Sequence, residues 1–327
     1  MRTHEAPFDT AEHLASEPPA PPGTYAQKFW SLLCVVVPLA GLAAAIVLLW
    51  GTGVEWVHLI LMLAGYVVSG IGITVGYHRL FTHKSFSAGR VVTAIFALLG
   101  SMATQGPILW WAATHRSHHQ HSDRHDDPHS PNTHRHGLRA LLYGFCHAHI
   151  GWLFASPPPD QSRYVPDLEA DAMVRWFSRL FPVWVLLGLL IPGAIAGAVT
   201  GTWLGALLGL IWGGLVRIFI VHHITWSINS ICHLWGTRPY HTRDHSRNNP
   251  VFGVIGLGEG WHNNHHAFPA SARHGLRWWQ FDLGYEVIRV LAWLRLVHDV
   301  RVPSEARMAE KRSRAGTELV PAADLGA

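Results

Sequence analysis

Four long apolar runs alternate along the chain with polar stretches crowded with histidine. The runs are Phe29–Trp50, Trp56–Tyr77, Leu180–Thr200 and Trp203–Asn229. Each holds about 20 residues or more, enough for a helix to span a hydrocarbon core. Short turns join the first run to the second and the third to the fourth, and neither turn contains Lys or Arg. The pattern predicts two tight helical hairpins. A weaker apolar stretch, Val91–Ala112, is broken by Gly100, Gln105, Gly106 and Pro107. It is expected to lie on the membrane or dip into it. Phe145–Phe154 is expected to form an interfacial helix, and Trp278–Val297 to be helical. Residues 1–27 read as a disordered tail, with Glu5, Glu12 and Glu17 among Pro and Ala, and residues 303–327 as another. Residues 28–302 then form one membrane domain.

Composition agrees with this reading. Hydrophobic residues make up 49% of the 327 positions and charged residues 14%, well under the roughly 25% typical of soluble proteins. The 16 tryptophans suit wide interfacial belts. A net charge of +4 points to basic loops facing an anionic leaflet and to no nucleic-acid partner. Cys34, Cys146 and Cys232 form no C-x-x-C pair, so neither a disulfide framework nor a thiolate cluster is expected. No basic segment precedes an early apolar stretch, so no signal peptide is expected.

Three histidine clusters carry the chemistry: His78–His83, His115–His119 and His262–His266. Two predicted spans precede the first cluster, and two more separate the second from the third. All three therefore share one face of the membrane, provided Val91–Ala112 does not cross. Lys28, Arg79, Lys84, Arg90, Arg175, Arg179, Arg238 and Arg243 fall on the same side, which makes it and both termini cytoplasmic. His115, His118 and His119 are spaced i, i+3, i+4, and so are His262, His265 and His266. On helices each triplet projects from one face. His78 and His83 straddle the end of the second span. His233 follows the fourth, with Asn229 one turn earlier. Nine imidazoles and one amide thus come within reach of a common centre.

Imidazole binds Fe, Zn, Cu and Ni. Structural zinc favours four closed ligands, often with cysteine. A carboxylate-bridged di-iron bundle would need two Glu-x-x-His motifs on facing helices. The sequence has Glu55-x-x-His58 and Glu259-x-x-His262, but Glu55 lies at the far end of the second span. That leaves an all-histidine dimetal centre.

At these residues, from about Gly65 to Asp299, the chain resembles the membrane fatty-acyl desaturases, the family of stearoyl-CoA desaturase. The resemblance implies an all-α integral membrane fold, with four transmembrane helices and a cytosolic helical cap holding two Fe ions. It also implies O2 as co-substrate and removal of two hydrogens from a saturated acyl chain. The stretch Thr225–His233 looks like the family segment that supplies a ninth histidine and a water-mediated Asn, here His233 and Asn229. Gln105, Trp111, Thr225 and Trp226 match residues that hold the bent chain, which implies a cut near the ninth carbon. Tyr66 and Gly70 stand where the family closes its tunnel. Animal relatives usually carry Ala at the second position, so Gly70 is expected to leave more room. For each aromatic the plain alternative is membrane-core packing.

Two departures concern the head group. Ala113-Thr114 replaces an Arg-Asp pair of the animal acyl-CoA enzymes, and Phe154-Ala155-Ser156-Pro157 stands where they have Arg-Lys. Acyl-CoA, an acyl-lipid or an acyl carrier protein would all suit. No haem signature appears, so electrons would come from a separate donor: ferredoxin, rubredoxin or a cytochrome b5-like protein with a reductase.

Asp123, Asp126 and Asp127 follow the second cluster and could accept a hydrogen bond from a ligand imidazole; a solvated acidic loop is the alternative. His222 lies about three turns before His233. It or His223 is expected to make a polar contact with a neighbouring helix near the acyl path. Rival functions are a membrane di-iron hydroxylase or ketolase, and a metal transporter or sensor. Transport sites belong near the bilayer midplane, whereas these clusters sit at helix ends.

Overall fold

A computed structural model describes residues 24–124, 126–132 and 137–317. The expected tails at 1–23 and 318–327, with His4 and His13, lie outside the described residues. Among the described residues four helices are long and apolar enough to cross a membrane. They are α1 (Tyr25–Thr52), α2 (Trp56–Thr82), α6 (Phe181–Thr200) and α7 (Trp203–Ser230). Their outward faces carry Leu39, Val47, Ile60, Leu63, Leu186 and Leu190, all exposed in the isolated chain. Such bare apolar surface is stable only against lipid. The protein is a multi-pass integral membrane protein.

Helix bounds depart from the hydropathy pattern where chemistry intrudes. The second apolar run ends at Tyr77, yet α2 continues to Thr82 through a wide π-helical stretch, Gly72–Thr82, that is buried throughout. Hydropathy falls there because His78, Arg79 and Thr82 are polar, but their partners are protein rather than water. The first helix begins at Tyr25, inside the expected tail, capped by the Thr24 hydroxyl.

The stretch expected to be one interfacial element is two helices, α3 (Arg90–Ser101) and α4 (Ile108–His121). Thr104 and Gly106 between them have positive φ and turn the chain sharply. At 12 residues, α3 is about 18 Å long, too short to cross. It packs along the π-helical part of α2. The interfacial helix starts earlier than expected, with α5 (Leu138–Cys146), and runs on to Ala155.

Beyond the membrane lie α8 (Pro250–Ile255), α9 (His262–Ala267) and α10 (Leu283–Trp293). The helix expected over Trp278–Val297 is thus shorter; Asp282 caps α10 by accepting from the Tyr285 amide. Two short strands, β1 (Ser87–Ala88) and β2 (Val297–His298), pair antiparallel. The tail expected to be disordered from Pro303 contains α11 (Glu305–Thr317). Within its polar sequence Met308 is buried with Tyr240, Ala267 and Phe268, while Arg312 donates to the Tyr240 hydroxyl and Lys311 to the Ala267 carbonyl.

Candidate metal centre

The i, i+3, i+4 spacing does on α4 and α9 what helical geometry requires, presenting three imidazoles from one face of each. The π-helical end of α2 adds His78 and its C-cap His83, and His233 follows α7. The nine rings sort into two groups. One holds His78, His83, His115, His119 and His265; the other holds His118, His233, His262 and His266. Within each group the nearest ligand atoms all lie within 4.8 Å of one another. Asn229 is half-buried on α7, one turn before His233.

Ring nitrogens aim inward. His78 Nε2 is 3.0 Å from His265 Nε2, which is 2.9 Å from His119 Nε2. In the second group His233 Nε2 is 3.0 Å from His262 Nε2. The outer Nδ1 atoms of four rings face carboxylates: His78 faces Glu259 at 2.6 Å, His118 faces Asp127 at 2.9 Å, and His233 and His266 face Asp123 and Asp244 at 2.8 Å. Each carboxylate accepts the Nδ1–H and so leaves an Nε2 lone pair pointing into the cluster. Nε2 of His83, His118 and His266 is buried with no hydrogen-bond partner. Ring nitrogens converging this closely suit cations between them. Two metal ions fit this donor set, one in each group.

Charge states agree. Burial holds His83, His115, His119, His262 and His265 well below their ordinary range, and neighbouring imidazoles add to it. Neutral imidazole is the form that binds metal. Burial pushes the carboxyls of Asp123, Asp127, Asp244 and Glu259 up, but the imidazoles facing them outweigh it and hold all four low.

Of the three acids after the second cluster, Asp123 and Asp127 are buried against imidazoles and Asp126 is exposed. Glu259 was set aside in the sequence because a ferritin-like pattern failed. It nonetheless sits in the site, clamping His78 rather than bridging metals, with Arg79 Nη1 at 3.2 Å. Glu55 and His58 cap the far end of α2 reciprocally, which explains that motif without a metal. Asp244, His129 and His274 gave no signal in the sequence. His274 is wholly buried, its ring 4.6 Å from that of His265, and neither of its nitrogens has a hydrogen-bond partner. Its neighbours Glu259 and Arg79 already form an ion pair, so a third cation there would meet a buried guanidinium.

A narrow pocket approaches the centre between α2 and α7, lined by Tyr66, Gly70, Thr225, Leu257 and Glu259 among others. Trp111 Nε1 donates to Gln105 Oε1 at 3.2 Å, and Gln105 Nε2 donates to Thr225 Oγ1 at 2.8 Å. The Trp111 ring stacks on His115, so this chain of bonds ends at the first histidine group. Trp226 is buried beside His222 and His223. His222 Nε2 lies 2.9 Å from the Thr104 carbonyl, tying α7 to the turn before α4, and His223 pairs with His149 at 3.0 Å. The room expected beside Gly70 is already taken, by the side chain of Leu257.

Comparison with known proteins gives the same picture. A family model described as "Fatty acid desaturase" matches residues 54–292. A hex-5-enoyl-[acyl-carrier protein] acetylenase of Moorena producens is 44% identical over 87% of this chain and 89% of its own. Delta-9 acyl-lipid desaturase 1 of Arabidopsis thaliana is 37% identical over 86% and 84%. An acyl-CoA C20 Delta5-desaturase of Anemone leveillei is 38% identical over 77% and 76%.

Proposed function

Since this chain belongs to the fatty acid desaturase family, we propose that it is an O2-dependent di-iron desaturase that places a cis double bond near the ninth carbon of a saturated long-chain acyl group. The substrate is an acyl-CoA or acyl-lipid. The balance is one acyl CH2–CH2, one O2, two electrons and two protons giving one CH=CH and two waters. A separate redox protein supplies the electrons, and the centre faces the cytoplasm.

The observation that carries this reading is the arrangement of nine inward-facing imidazoles in groups of five and four, four of them clamped by carboxylates. Bound iron would supply oxygen activation and hydrogen abstraction. His78, His83, His115, His119 and His265 would hold one ion; His118, His233, His262 and His266 would hold the other, with Asn229 reaching it through water. The remaining task of the protein is aim. A methylene offers no polar handle, so position must come from the depth and bend of the chain. Tyr66 and Gly70 lie at the closed end of the pocket. Gln105, Trp111 and Thr225, joined by hydrogen bonds, brace its bend, and Trp226 backs that wall. His222 fixes the turn from which Gln105 projects. Glu259, at the pocket's other end, holds His78 in the orientation its Nε2 requires.

Expression in a host lacking desaturases, with double bonds mapped by mass spectrometry, tests the proposal. A monoene near the ninth carbon supports it. An alcohol or ketone product would indicate a hydroxylase or ketolase, and metal flux without O2 uptake a transporter.

A further inference from the structure

We propose that the Leu257 side chain is the stop that sets how deep an acyl chain enters the pocket, with Gly70 making room for it. The inference rests on the desaturase reading and adds a residue that selects chain length.

Leu257 lies in the run Gly256-Leu257-Gly258-Glu259-Gly260. Its φ is 56°, a left-handed conformation uncommon for a leucine. Strain of that kind persists only where the surroundings fix it, and here they do. The Leu257 amide donates to the Val254 carbonyl at 3.1 Å, and its own carbonyl accepts from the Gly284 amide at 3.0 Å, at the start of α10. Gly258 follows with φ 113° and lies against Asp282, which is paired with the buried Arg79. The turn is therefore locked, and its direction is not free to adapt to a ligand.

That locked backbone sends the side chain toward α2. A Cβ built on Gly70 would come within 2.6 Å of Leu257 Cδ1. The leucine occupies the space that any larger residue at position 70 would claim. Both residues line the same pocket as Tyr66 and Glu259. Tyr66 donates its hydroxyl to the Ile255 carbonyl, closing the end beyond Leu257. Glu259 stands at the metal end beside His78. Gly70 is eight residues, about two helical turns, before His78 on α2. Leu257 therefore shares a pocket wall with Gly70 and with Glu259, the residue that faces His78. Because the backbone at 257 is fixed, the length of its side chain sets the distance available to the terminal carbons of the acyl chain.

The test uses the full chain in membranes of a host without desaturases, supplied with saturated acyl chains of graded length. The readout is the ratio of monoene from longer chains to monoene from shorter ones, which does not depend on how much protein accumulates. Leu257→Ala should raise that ratio about ten-fold, the discrimination one or two methylenes can give in an apolar pocket. Gly70→Ala should push the leucine into the pocket and lower the ratio. Combining the two should bring it back toward wild type, since the added methyl replaces what the leucine vacates. Leu257→Cys, shorter than leucine and unbranched at Cβ as the positive φ favours, should shift the ratio in the same direction as Ala but less. Monoene with an unchanged chain profile in Leu257→Ala and Leu257→Cys would overturn the inference while leaving the desaturase reading intact. A wild-type chain that makes no alkene at all would remove both.

Discussion

Glu259 reaches His78 across the site, its Oε2 2.6 Å from His78 Nδ1, while its other oxygen faces Arg79. The contact joins the turn after α8 to the π-helical end of α2, so a residue just before the third histidine cluster orients a ligand of the first. Glu259→Gln keeps the shape and removes the charge. Carboxylates behind a ligand imidazole are worth roughly 10- to 100-fold in metal affinity or activity. The variant should lose iron to a chelator at proportionally lower concentration than wild type, measured as iron per chain by elemental analysis. Retention equal to wild type would show that the contact does not tune the metal.

Asp123 and Asp126 offer a sharper contrast, because sequence alone could not rank them. Asp123 is buried and accepts from His233 Nδ1, the His245 amide, the Ser130 hydroxyl and the Asn132 amide. Asp126 is exposed. Asp123→Asn should lower bound iron and turnover by at least ten-fold, whereas Asp126→Asn should leave both near wild type. Equal effects would remove Asp123 from its role.

How far the sequence could be read follows from what each feature depends on. The four spans and the histidine triplets on α4 and α9 are local: hydropathy and an i, i+3, i+4 spacing are enough. Asp244, Glu259 and His274 are not local. Glu259 and His274 follow a turn with positive φ at Leu257 and Gly258, and Asp244, before α8, meets His266 22 residues further on. Gly70 misled for the same reason, since its apparent vacancy is filled by a residue far along the chain. The tail helix α11 was hidden because its anchors are one apolar residue, Met308, and charged residues that bond to distant groups, Lys311 to the Ala267 carbonyl and Arg312 to the Tyr240 hydroxyl.

Arg116 lies between two histidines of α4 yet points away from the metal centre. Its guanidinium donates to the carbonyls of Phe81, Thr82 and Tyr164 and to both oxygens of Asp167. It thereby fastens the end of α2, where its carbonyls lack helical partners, to α4. Lysine cannot reproduce that fork. Arg116→Lys should cost about 1–3 kcal/mol and lower the temperature of half-inactivation in detergent, with iron content per folded chain unchanged.

The same cluster gives a pH prediction. Burial pushes the Asp167 carboxyl up, but Arg116 and Lys84 outweigh it and hold it down to about 2. A carboxyl held below its unfolded value contributes stability above that value. The contribution is lost as pH falls toward about 2. Asp167→Asn should therefore destabilise at neutral pH and much less near pH 2. A thermal-inactivation series across that range measures the difference, and a constant gap at every pH would contradict the assignment.

Under the proposed function the bonded chain Trp111–Gln105–Thr225 would border the path of an alkyl chain, and nothing in an alkyl chain can satisfy its polar groups. Their bonds to each other let the wall be polar yet closed. Thr225→Val preserves volume while leaving the Gln105 amide without its acceptor, at a cost of about 1–3 kcal/mol if the group stays buried. Gln105 would then turn toward another partner and release Trp111, which stacks on His115 at 5.1 Å. If this network sets the bend, Thr225→Val should spread the double bond over neighbouring positions while the preferred chain length holds. A variant at Leu257 should do the reverse. Positional analysis of the alkenes from both variants separates bend from depth, and a Thr225→Val enzyme that cuts at the wild-type carbon alone would exclude the network from positioning the chain.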